Sequence, residues 1–299
     1  MRAVRFHEFG PADVLKVEEV PEPVAGPGQV LVRVTAVGVN YGETTIRSGA
    51  IQRVTPWNSF PPGVLGGEVV GVTEDGRRLI GFALAEGYAE RAALPEDSPE
   101  VPEHLSDHEA LALFLQGTSA VAALATSRLV QGERVLVEAA TGGVGNLLVQ
   151  LAAQRGATVV AATRGEAKLA VAKELGAHEV VDYGTPGWSA GVDPVDVVFS
   201  SVGGSVTEES FELLRDRVGR FVIFGFASGE PVGITAADVF RKAVTVSGYG
   251  VPVSPENIRT AFTSGLRPVL GPVLPLTEAA RAHELLESRT TTGKLILVP

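Results

Sequence analysis

Residues 134–163 read RVLVEAATGGVGNLLVQLAAQRGATVVAAT, and this stretch decides the fold. Arg134–Ala139 has the apolar composition of a buried strand, Val144–Gln154 places leucines at helical spacing, and Thr158–Thr163 is a second apolar strand. The order of strand, helix and strand predicts a βα unit on a parallel sheet.

A glycine-rich turn, Ala139–Gly145, lies directly between the first strand and the helix. It follows a G-x-G-x-x-G pattern with Ala140 at the first place and glycines at Gly142 and Gly145. In such a turn the second glycine lets the backbone approach a pyrophosphate, and the third lets the helix pack against the strand. We therefore predict a dinucleotide site, the alternative being a purely structural tight turn. The predicted contacts are Ala140, Thr141, Gly142, Gly143, Val144 and Gly145.

The end of the second strand bears on the choice between NADH and NADPH. Sites for NADH place a carboxylate about 20 residues beyond the loop, where it binds the ribose hydroxyls. Here the chain reads Thr163-Arg-Gly165, and no acidic residue occurs before Glu166. Arg164 offers a planar fork suited to a 2′-phosphate, and Lys168 adds a second cation. We predict NADPH, the alternative being that both cations are solvated surface side chains.

Two kinds of sequence divide the chain. Residues 1 to about 110 are rich in short β-type runs such as Gln29–Val37, whose alternating valines predict one buried face. From about Phe114–Gly117 onward, apolar strands alternate with helices, which predicts an α/β protein. Near Glu256 the chain returns to short elements broken by proline and ends in an apolar run, Lys294–Val298. Further strands are expected at 180–182, 195–200, 219–225 and 243–249, with helices at 166–175 and 206–217.

Composition argues against several classes of function. The 299 residues carry a formal net charge of −10, which opposes binding to nucleic acid. No run of the length that spans a membrane and no export signal is evident, so we expect a cytoplasmic protein without a membrane partner. The chain has no cysteine, which excludes sulfur-ligated zinc. His104 and His108 have i, i+4 spacing but lack the H-E-x-x-H order, and we predict no metal site.

Several further motifs, in order along the chain, point to one family. They are Gly38-Val-Asn-Tyr41, Gly66-Gly-Glu68, Gly87-Tyr-Ala-Glu90, Gly117-Thr-Ser-Ala120, Lys173-Glu-Leu-Gly-Ala177 and Thr292-Gly-Lys294, together with the glycine-rich turn. With these motifs the sequence resembles the zinc-free quinone oxidoreductase branch of the medium-chain dehydrogenase/reductase superfamily over essentially its whole length.

The resemblance implies two domains. A GroES-like β-rich substrate domain would comprise 1–115 and 256–299, and a Rossmann domain with a doubly wound parallel sheet would bind NADPH at 116–255. The family transfers hydride to quinones or to α,β-unsaturated carbonyls without a metal, and enoyl-thioester reductases are a variant. We expect a homodimer, for which the strand at 243–249 is a candidate pairing edge. The alternative is an NADPH-binding sensor or interaction protein without catalysis.

The resemblance also implies roles for individual residues. Asn40 is similar to the Asn that reaches toward the nicotinamide and the substrate carbonyl, a turn-forming role being the alternative. A Tyr proton donor is frequent in the family where this chain has Thr45, so we expect Tyr41 or solvent to supply the proton, Thr45 being a candidate to order a water. The expected catalytic residues are Asn40 and Tyr41. The remaining cofactor contacts are Thr163, then Arg164, Lys168 and Tyr183 around the 2′-phosphate, and Ser119, Val202, Gly203, Phe224, Gly225 and Phe226 near the nicotinamide. The alternatives are a strand-end aromatic for Tyr183, a local backbone partner for Ser119 and plain core for the apolar residues.

Two stretches bear on the implied substrate cleft. Residues 50–63, which include Trp57 and Phe60, indicate a loop beside it. The stretch at 69–82 is shorter than the usual hairpin of the family, which implies a more open wall.

Overall fold

The computed structural model describes residues 1–50, 61, 63–83, 87–230, 232–248 and 253–299, so most of the loop at 50–63, with Trp57 and Phe60, lies outside the described residues. The chain divides into two compact units: unit 1 is Met1–Phe114 with Leu270–Pro299, and unit 2 is Leu115–Val269.

The second boundary between the units falls later than the 256 expected from the sequence. A helix at Pro255–Thr263 belongs to unit 2. Ser254 caps this helix by accepting the N–H of Asn257, and Pro255 occupies its first turn, where no N–H is needed. The proline therefore begins an element that the sequence had suggested it would break.

Unit 1 is built around one long strand. Its strands are β1 (Arg2–Phe6), β2 (Lys16–Glu19), β3 (Gln29–Val39), β4 (Gly63–Val64), β5 (Glu68–Val72), β6 (Arg78–Phe82), β7 (Arg91–Pro95), β14 (Leu270–Pro275) and β15 (Lys294–Val298). Its helices are α1 (Tyr41–Arg47) and α8 (Ala279–Glu287), and α2 (Asp107–Ser127) begins in it.

The larger sheet of unit 1 has the order β14-β15-β3-β5-β6, and β7 also pairs with β3. The alternating valines of β3 bury Val32 and Val34 in the apolar core, as the pattern predicted. β15 comes from the end of the chain and pairs antiparallel with β3. This pairing is what joins the two separate segments into one unit.

Unit 2 contains a six-stranded parallel sheet in the order β10-β9-β8-β11-β12-β13. Its strands are β8 (Arg134–Val137), β9 (Thr158–Thr163), β10 (Glu179–Asp182), β11 (Val197–Ser200), β12 (Arg220–Ile223) and β13 (Thr245–Gly248). Its helices are α3 (Gly145–Gln154), α4 (Glu166–Glu174), α5 (Gly204–Glu212), α6 (Ala236–Lys242) and α7 (Pro255–Thr263). This is the doubly wound order, which confirms the predicted Rossmann domain. Ligands bind at the carboxyl ends of such strands.

Several elements begin or end differently from the sequence prediction. β13 starts at Thr245 because Ala243 takes a left-handed conformation, with φ of +51°, at the end of α6. α5 ends at Glu212 because Leu214 pairs with Val195 in an isolated bridge. Tyr249, the last residue of the expected strand at 243–249, lies outside the described residues.

α2 is the helix of the described chain that is long and apolar enough to cross a membrane. In the apolar window of this helix 78% of the residues are buried within the fold. That burial is typical of a core helix in a globular protein.

Candidate functional site

The glycine-rich turn between β8 and α3 depends on close backbone packing. Ala139 is left-handed, with φ of +47°, and its carbonyl accepts the N–H of Gly142 at 2.8 Å. A Cβ on Gly145 would lie 2.2 Å from the Ala139 carbonyl oxygen, closer than real contacts allow. Glycine at this position therefore lets α3 begin close to β8, the role expected of the third glycine. The buried hydroxyls of Thr141 and Thr163 lie 3.2 Å apart and tie the turn to β9.

Asn146, in the first turn of α3, holds the glycine-rich turn from inside the protein. Its Nδ2 donates to the carbonyls of Gly142 and Gly143, both at 2.7 Å, and its Oδ1 accepts the N–H of Val269 at 3.1 Å. In a trans peptide the C=O and the following N–H point in opposite directions. The N–H groups of Gly143 and Val144 therefore point away from Asn146, and neither is bonded to an acceptor in the described part of the chain. Such groups at a helix N-terminus suit a pyrophosphate.

Sequence reasoning did not assign a role to Asn146. The available signal was a buried polar side chain among the apolar residues of α3.

Cationic side chains meet beyond the carboxyl end of β9. The guanidinium of Arg164 lies 5.6 Å from the centre of the Tyr183 ring, a cation–π distance. Burial, together with the charge of Arg164, lowers the pKa of Lys168. The nearby carboxylate of Asp182 accepts two backbone N–H groups, of Gly165 and Gly184, at 3.0 and 2.7 Å. The structure thus brings Arg164 beside both Tyr183 and Lys168, while Asp182 shapes the adjacent backbone.

Two turns, which follow β11 and β12, are hydrogen-bonded to each other. The N–H groups of Phe224, Ala227 and Ser228 donate to the carbonyls of Ser200, Ser201 and Val202 at 2.9, 2.8 and 2.7 Å. Gly203 has φ of +87°, and a Cβ there would lie 2.6 Å from the carbonyl oxygen of Glu230. The structure therefore brings Val202 and Gly203 together with Phe224–Phe226, at the sheet edge where the nicotinamide half was expected.

Glu138, which directly follows β8, was not among the predicted site residues. Its Oε2 accepts the N–H groups of Ser201 and Val202, both at 2.9 Å, and the hydroxyls of Ser200 and Thr207, both at 3.1 Å. The side chain is fully buried, and burial raises the pKa of its carboxyl. One carboxylate oxygen therefore fixes the turn that carries Val202. An acidic residue at the end of an apolar strand was the available signal.

In unit 1, Asn40 lies between β3 and α1 and contacts a buried ion pair. Its Oδ1 accepts a hydrogen bond from Nζ of Lys294 at 2.8 Å, and its Nδ2 donates to Oε1 of Glu68 at 3.2 Å. Lys294 and Glu68 are ion-paired, and their side chains are only 2% and 0% exposed. Asn40 also forms a capping box with Glu43 at the start of α1, so the turn-forming role weighed from the sequence is present as well.

The motifs that contain Glu68 and Lys294 were noted in the sequence, but neither residue was given a role. Charged residues at the ends of apolar strands were the signal.

A second buried polar chain supports the same segment of unit 1. The two carboxylate oxygens of Glu43 accept the N–H of Gly67 at 2.9 Å and the hydroxyl of Tyr88 at 2.8 Å, and that hydroxyl lies 3.0 Å from Nε2 of His283. Burial raises the pKa of Glu43 and of Tyr88. Burial, with a smaller contribution from Arg47, lowers the pKa of His283 to about 3. His283 is therefore neutral near pH 7, inside a network that anchors α1.

The other residues expected near the substrate lie on helices. Tyr41 is the first residue of α1 and is half-buried. Thr45 donates its hydroxyl to the carbonyl of Gly42 at 2.7 Å, so this hydroxyl makes a local helix contact. Ser119 is buried within α2.

Two family models match the chain. The alcohol dehydrogenase GroES-like domain matches residues 26–86, and the zinc-binding dehydrogenase model matches residues 143–264. The chain has no cysteine, and its described residues include no group of three or more His, Asp or Glu placed to hold a metal.

Relatives named for an enzymatic activity match along the whole chain. The chain is 33% identical to the quinone oxidoreductase of Sus scrofa, with 100% of this chain and 98% of the relative covered. It is 30% identical to the 2-haloacrylate reductase of a Burkholderia species, with 99% and 98% covered. The structure of the quinone oxidoreductase from Thermus thermophilus, also solved as a complex with NADPH, matches with a TM-score of 0.85 at 34% identity, each chain being fully covered. The chain therefore belongs to the quinone oxidoreductase branch of the medium-chain dehydrogenase/reductase superfamily.

Proposed function

We propose that this protein is an NADPH-dependent, zinc-independent oxidoreductase that transfers hydride to a quinone or an α,β-unsaturated carbonyl. The observation that carries the proposal is the pair of neighbouring cations Arg164, directly after β9, and Lys168, in α4, together with the N–H groups of Gly143 and Val144, which have no acceptor among the described residues. The relatives are named for a quinone and for a 2-haloacrylate, both of which are electron-poor conjugated acceptors.

In this proposal unit 2 holds the cofactor. The N–H groups of Gly143 and Val144 bind the pyrophosphate at the N-terminus of α3. Arg164 and Lys168 bind the 2′-phosphate, because a guanidinium and an ammonium favour a dianionic oxygen cluster over a bare hydroxyl. Tyr183 supports the guanidinium of Arg164. Bound NADPH supplies the hydride.

The nicotinamide half is assigned to the turns after β11 and β12. Glu138 holds the backbone of Val202, and Gly203 permits the close approach of the neighbouring turn. Phe224–Phe226 completes this edge, and Ser119 is the further contact expected from α2.

Unit 1 acts on the acceptor. Hydride addition moves an electron pair onto the acceptor's carbonyl oxygen, and the carboxamide of Asn40 stabilises that oxygen as a hydrogen-bond donor. A proton from Tyr41 or from solvent then completes the hydroquinone or the saturated carbonyl product. Because the chain has no cysteine and its described residues include no group placed to hold a metal, we assign polarisation of the carbonyl to hydrogen-bond donors and catalysis to positioning.

The proposal includes a cytoplasmic homodimer that acts on a small molecule and binds neither nucleic acid nor membrane. β13 is the last strand of the described parallel sheet, and an edge strand offers backbone groups for pairing with a second copy. Sedimentation equilibrium tests this part, and a protein that is monomeric at micromolar concentration would overturn it.

The test of function is NADPH consumption with a panel of acceptors. We expect oxidation with benzoquinones, naphthoquinones, conjugated enones or haloacrylates, no oxidation with the matching saturated ketones, and no loss after treatment with a strong chelator. A protein that binds NADPH but reduces no acceptor above background would refute the enzyme and favour a non-catalytic NADPH sensor. Inactivation by the chelator that added zinc reverses would refute zinc independence.

A further inference from the structure

Three neighbouring strands of unit 1 make room for a charged pair beside Asn40. β15, β3 and β5 are adjacent in the sheet, with Lys294 and Glu68 at the starts of β15 and β5 and Gly38 near the end of β3. A Cβ on Gly38 would lie 2.2 Å from Oε1 of Glu68 and 2.7 Å from Nζ of Lys294. Glycine at position 38 therefore leaves the space that the ion pair occupies.

Stability is a poor explanation for this pair. Taking both charges out of water is expensive, and well-packed apolar side chains of similar volume are often at least as stabilising as a buried ion pair. In addition, Oε2 of Glu68 is buried and has no hydrogen-bond partner among the described residues. A buried pair with an unsatisfied oxygen points to a role in arranging its neighbour.

That neighbour is the carboxamide of Asn40, which meets the ammonium of Lys294 through its oxygen and the carboxylate of Glu68 through its nitrogen. A flipped amide would place N–H groups against an ammonium, which has no acceptor, and its oxygen against a carboxylate, which has no donor. The two charges therefore permit one orientation of the amide and oppose the other.

We propose that Lys294 and Glu68 are positioning residues that lock the carboxamide of Asn40 so that its nitrogen, and not its oxygen, serves the acceptor's carbonyl oxygen. The hydrogen bond from Lys294 also polarises the amide and strengthens its N–H groups as donors. This positioning role rests on the proposed function of Asn40. It also specifies the class of acceptor, which must carry an oxygen that accepts a hydrogen bond.

The first test follows the Asn40 amide without any substrate. In protein labelled with ¹⁵N, the side-chain signal of Asn40 is assigned by its loss in Asn40→Ala, and its hydrogen exchange is measured. We expect Lys294→Met to speed this exchange about 10-fold or more, because the orienting contact is lost. Lys242→Met is the matched control, since Lys242 is also a buried, ion-paired lysine but lies in unit 2, and it should leave the Asn40 signal unchanged.

The second test is a double-variant cycle on acceptor reduction. Lys294→Met should lower kcat/KM for a quinone about 100-fold, as expected for a misplaced catalytic group, with little change in NADPH affinity. If Lys294 acts through Asn40, the double variant Asn40→Ala/Lys294→Met should be no slower than Asn40→Ala alone.

A third variant keeps the test decisive if Lys294→Met does not fold. Gly38→Ala retains both charges but pushes their flexible ends away, so it should also speed exchange at Asn40 and slow reduction. Unchanged exchange in a folded variant, or losses that multiply in the double variant, would overturn the positioning role. A wild-type protein that shows slow exchange at Asn40 but reduces no acceptor would instead refute the proposed function alone.

Discussion

Replacing Glu138 tests whether its buried carboxylate holds the turn at Ser201 and Val202 in the conformation that binds the cofactor. The change to compare is Glu138→Ala against Glu138→Gln. Alanine removes the oxygen that accepts the N–H groups of Ser201 and Val202. Glutamine keeps a carbonyl oxygen that can occupy the place of Oε2 and accept both N–H groups. Its NH₂, at the place of Oε1, has no acceptor among the described residues, so this change lowers the stability of the fold while it keeps the turn bonded.

The size of the effect follows from the groups left behind. The hydroxyls of Ser200 and Thr207 lie 3.1 Å apart, so without Glu138 one of them can donate to the other while the second O–H loses its acceptor. The two backbone N–H groups have no such substitute, and each unsatisfied buried donor costs about 1–3 kcal/mol. The two backbone N–H groups alone should therefore destabilise this turn by about 2–6 kcal/mol in Glu138→Ala, enough to shift it to another conformation.

The assay is a fluorescence titration with NADPH, accompanied by a thermal unfolding scan to show that each variant is folded. Glu138→Ala should bind NADPH about 10- to 100-fold more weakly, whereas Glu138→Gln should stay within about threefold of the wild type. Wild-type affinity in a folded Glu138→Ala would refute the role of the turn. Equal losses in both variants would show that the charge of Glu138, and not its oxygen, is what matters.

Three further outcomes follow from other contacts. Arg164→Ala should weaken NADPH about 10- to 100-fold, the value of a charge-assisted hydrogen bond, while NADH changes little; equal losses for both cofactors by titration would contradict the 2′-phosphate assignment. Gly145→Ala should abolish NADPH binding or folding of unit 2, because its Cβ would meet the backbone at 2.2 Å, and a normal circular dichroism spectrum with normal binding would disprove this packing. The pKa of His283 falls from 6.5 in the unfolded chain to about 3. Between these two values the unfolded chain binds a proton at His283 that the folded protein does not bind. The free energy of unfolding should therefore fall by on the order of 4–5 kcal/mol as the pH drops from near 6.5 toward 3. In thermal scans, the unfolding temperature of His283→Gln should depend less on pH than that of the wild type. An unchanged pH dependence would show that His283 is not the source of the acid sensitivity.

The parallel sheet of unit 2 was predictable from the sequence because its strands are apolar on both faces and short turns separate them from helices. The prediction for β9, Thr158–Thr163, is confirmed in both bounds. The ends of strands were harder to predict where a local backbone conformation determines them. At Ala243 the backbone is left-handed, and an alanine in that conformation does not change the hydrophobic pattern of the sequence.

The buried polar groups of unit 1 were not predictable in the same way. Glu43, Tyr88 and His283 come from α1, the approach to β7 and α8, and their contacts join residues separated by 45 and 195 positions in the chain. Local periodicity reports which face of an element is buried, but it does not report which distant polar group that face will meet. Motif resemblance drew attention to Glu68 and Lys294, yet only their placement around Gly38 revealed that they meet at Asn40.

Buried or partly buried carboxylates hold the backbone beside the predicted site residues in three places. Glu43, Glu138 and Asp182 each accept two backbone N–H groups, and each lies directly beside a segment that carries predicted site residues. Loops position functional groups poorly unless their backbones are held, because each freely rotating residue adds conformational entropy. A carboxylate suits this task, since its two oxygens accept several N–H groups and its charge strengthens each bond. The catalytic and cofactor contacts expected from motif resemblance thus rest on acidic residues whose own signal in the sequence is only their position at the ends of strands and helices.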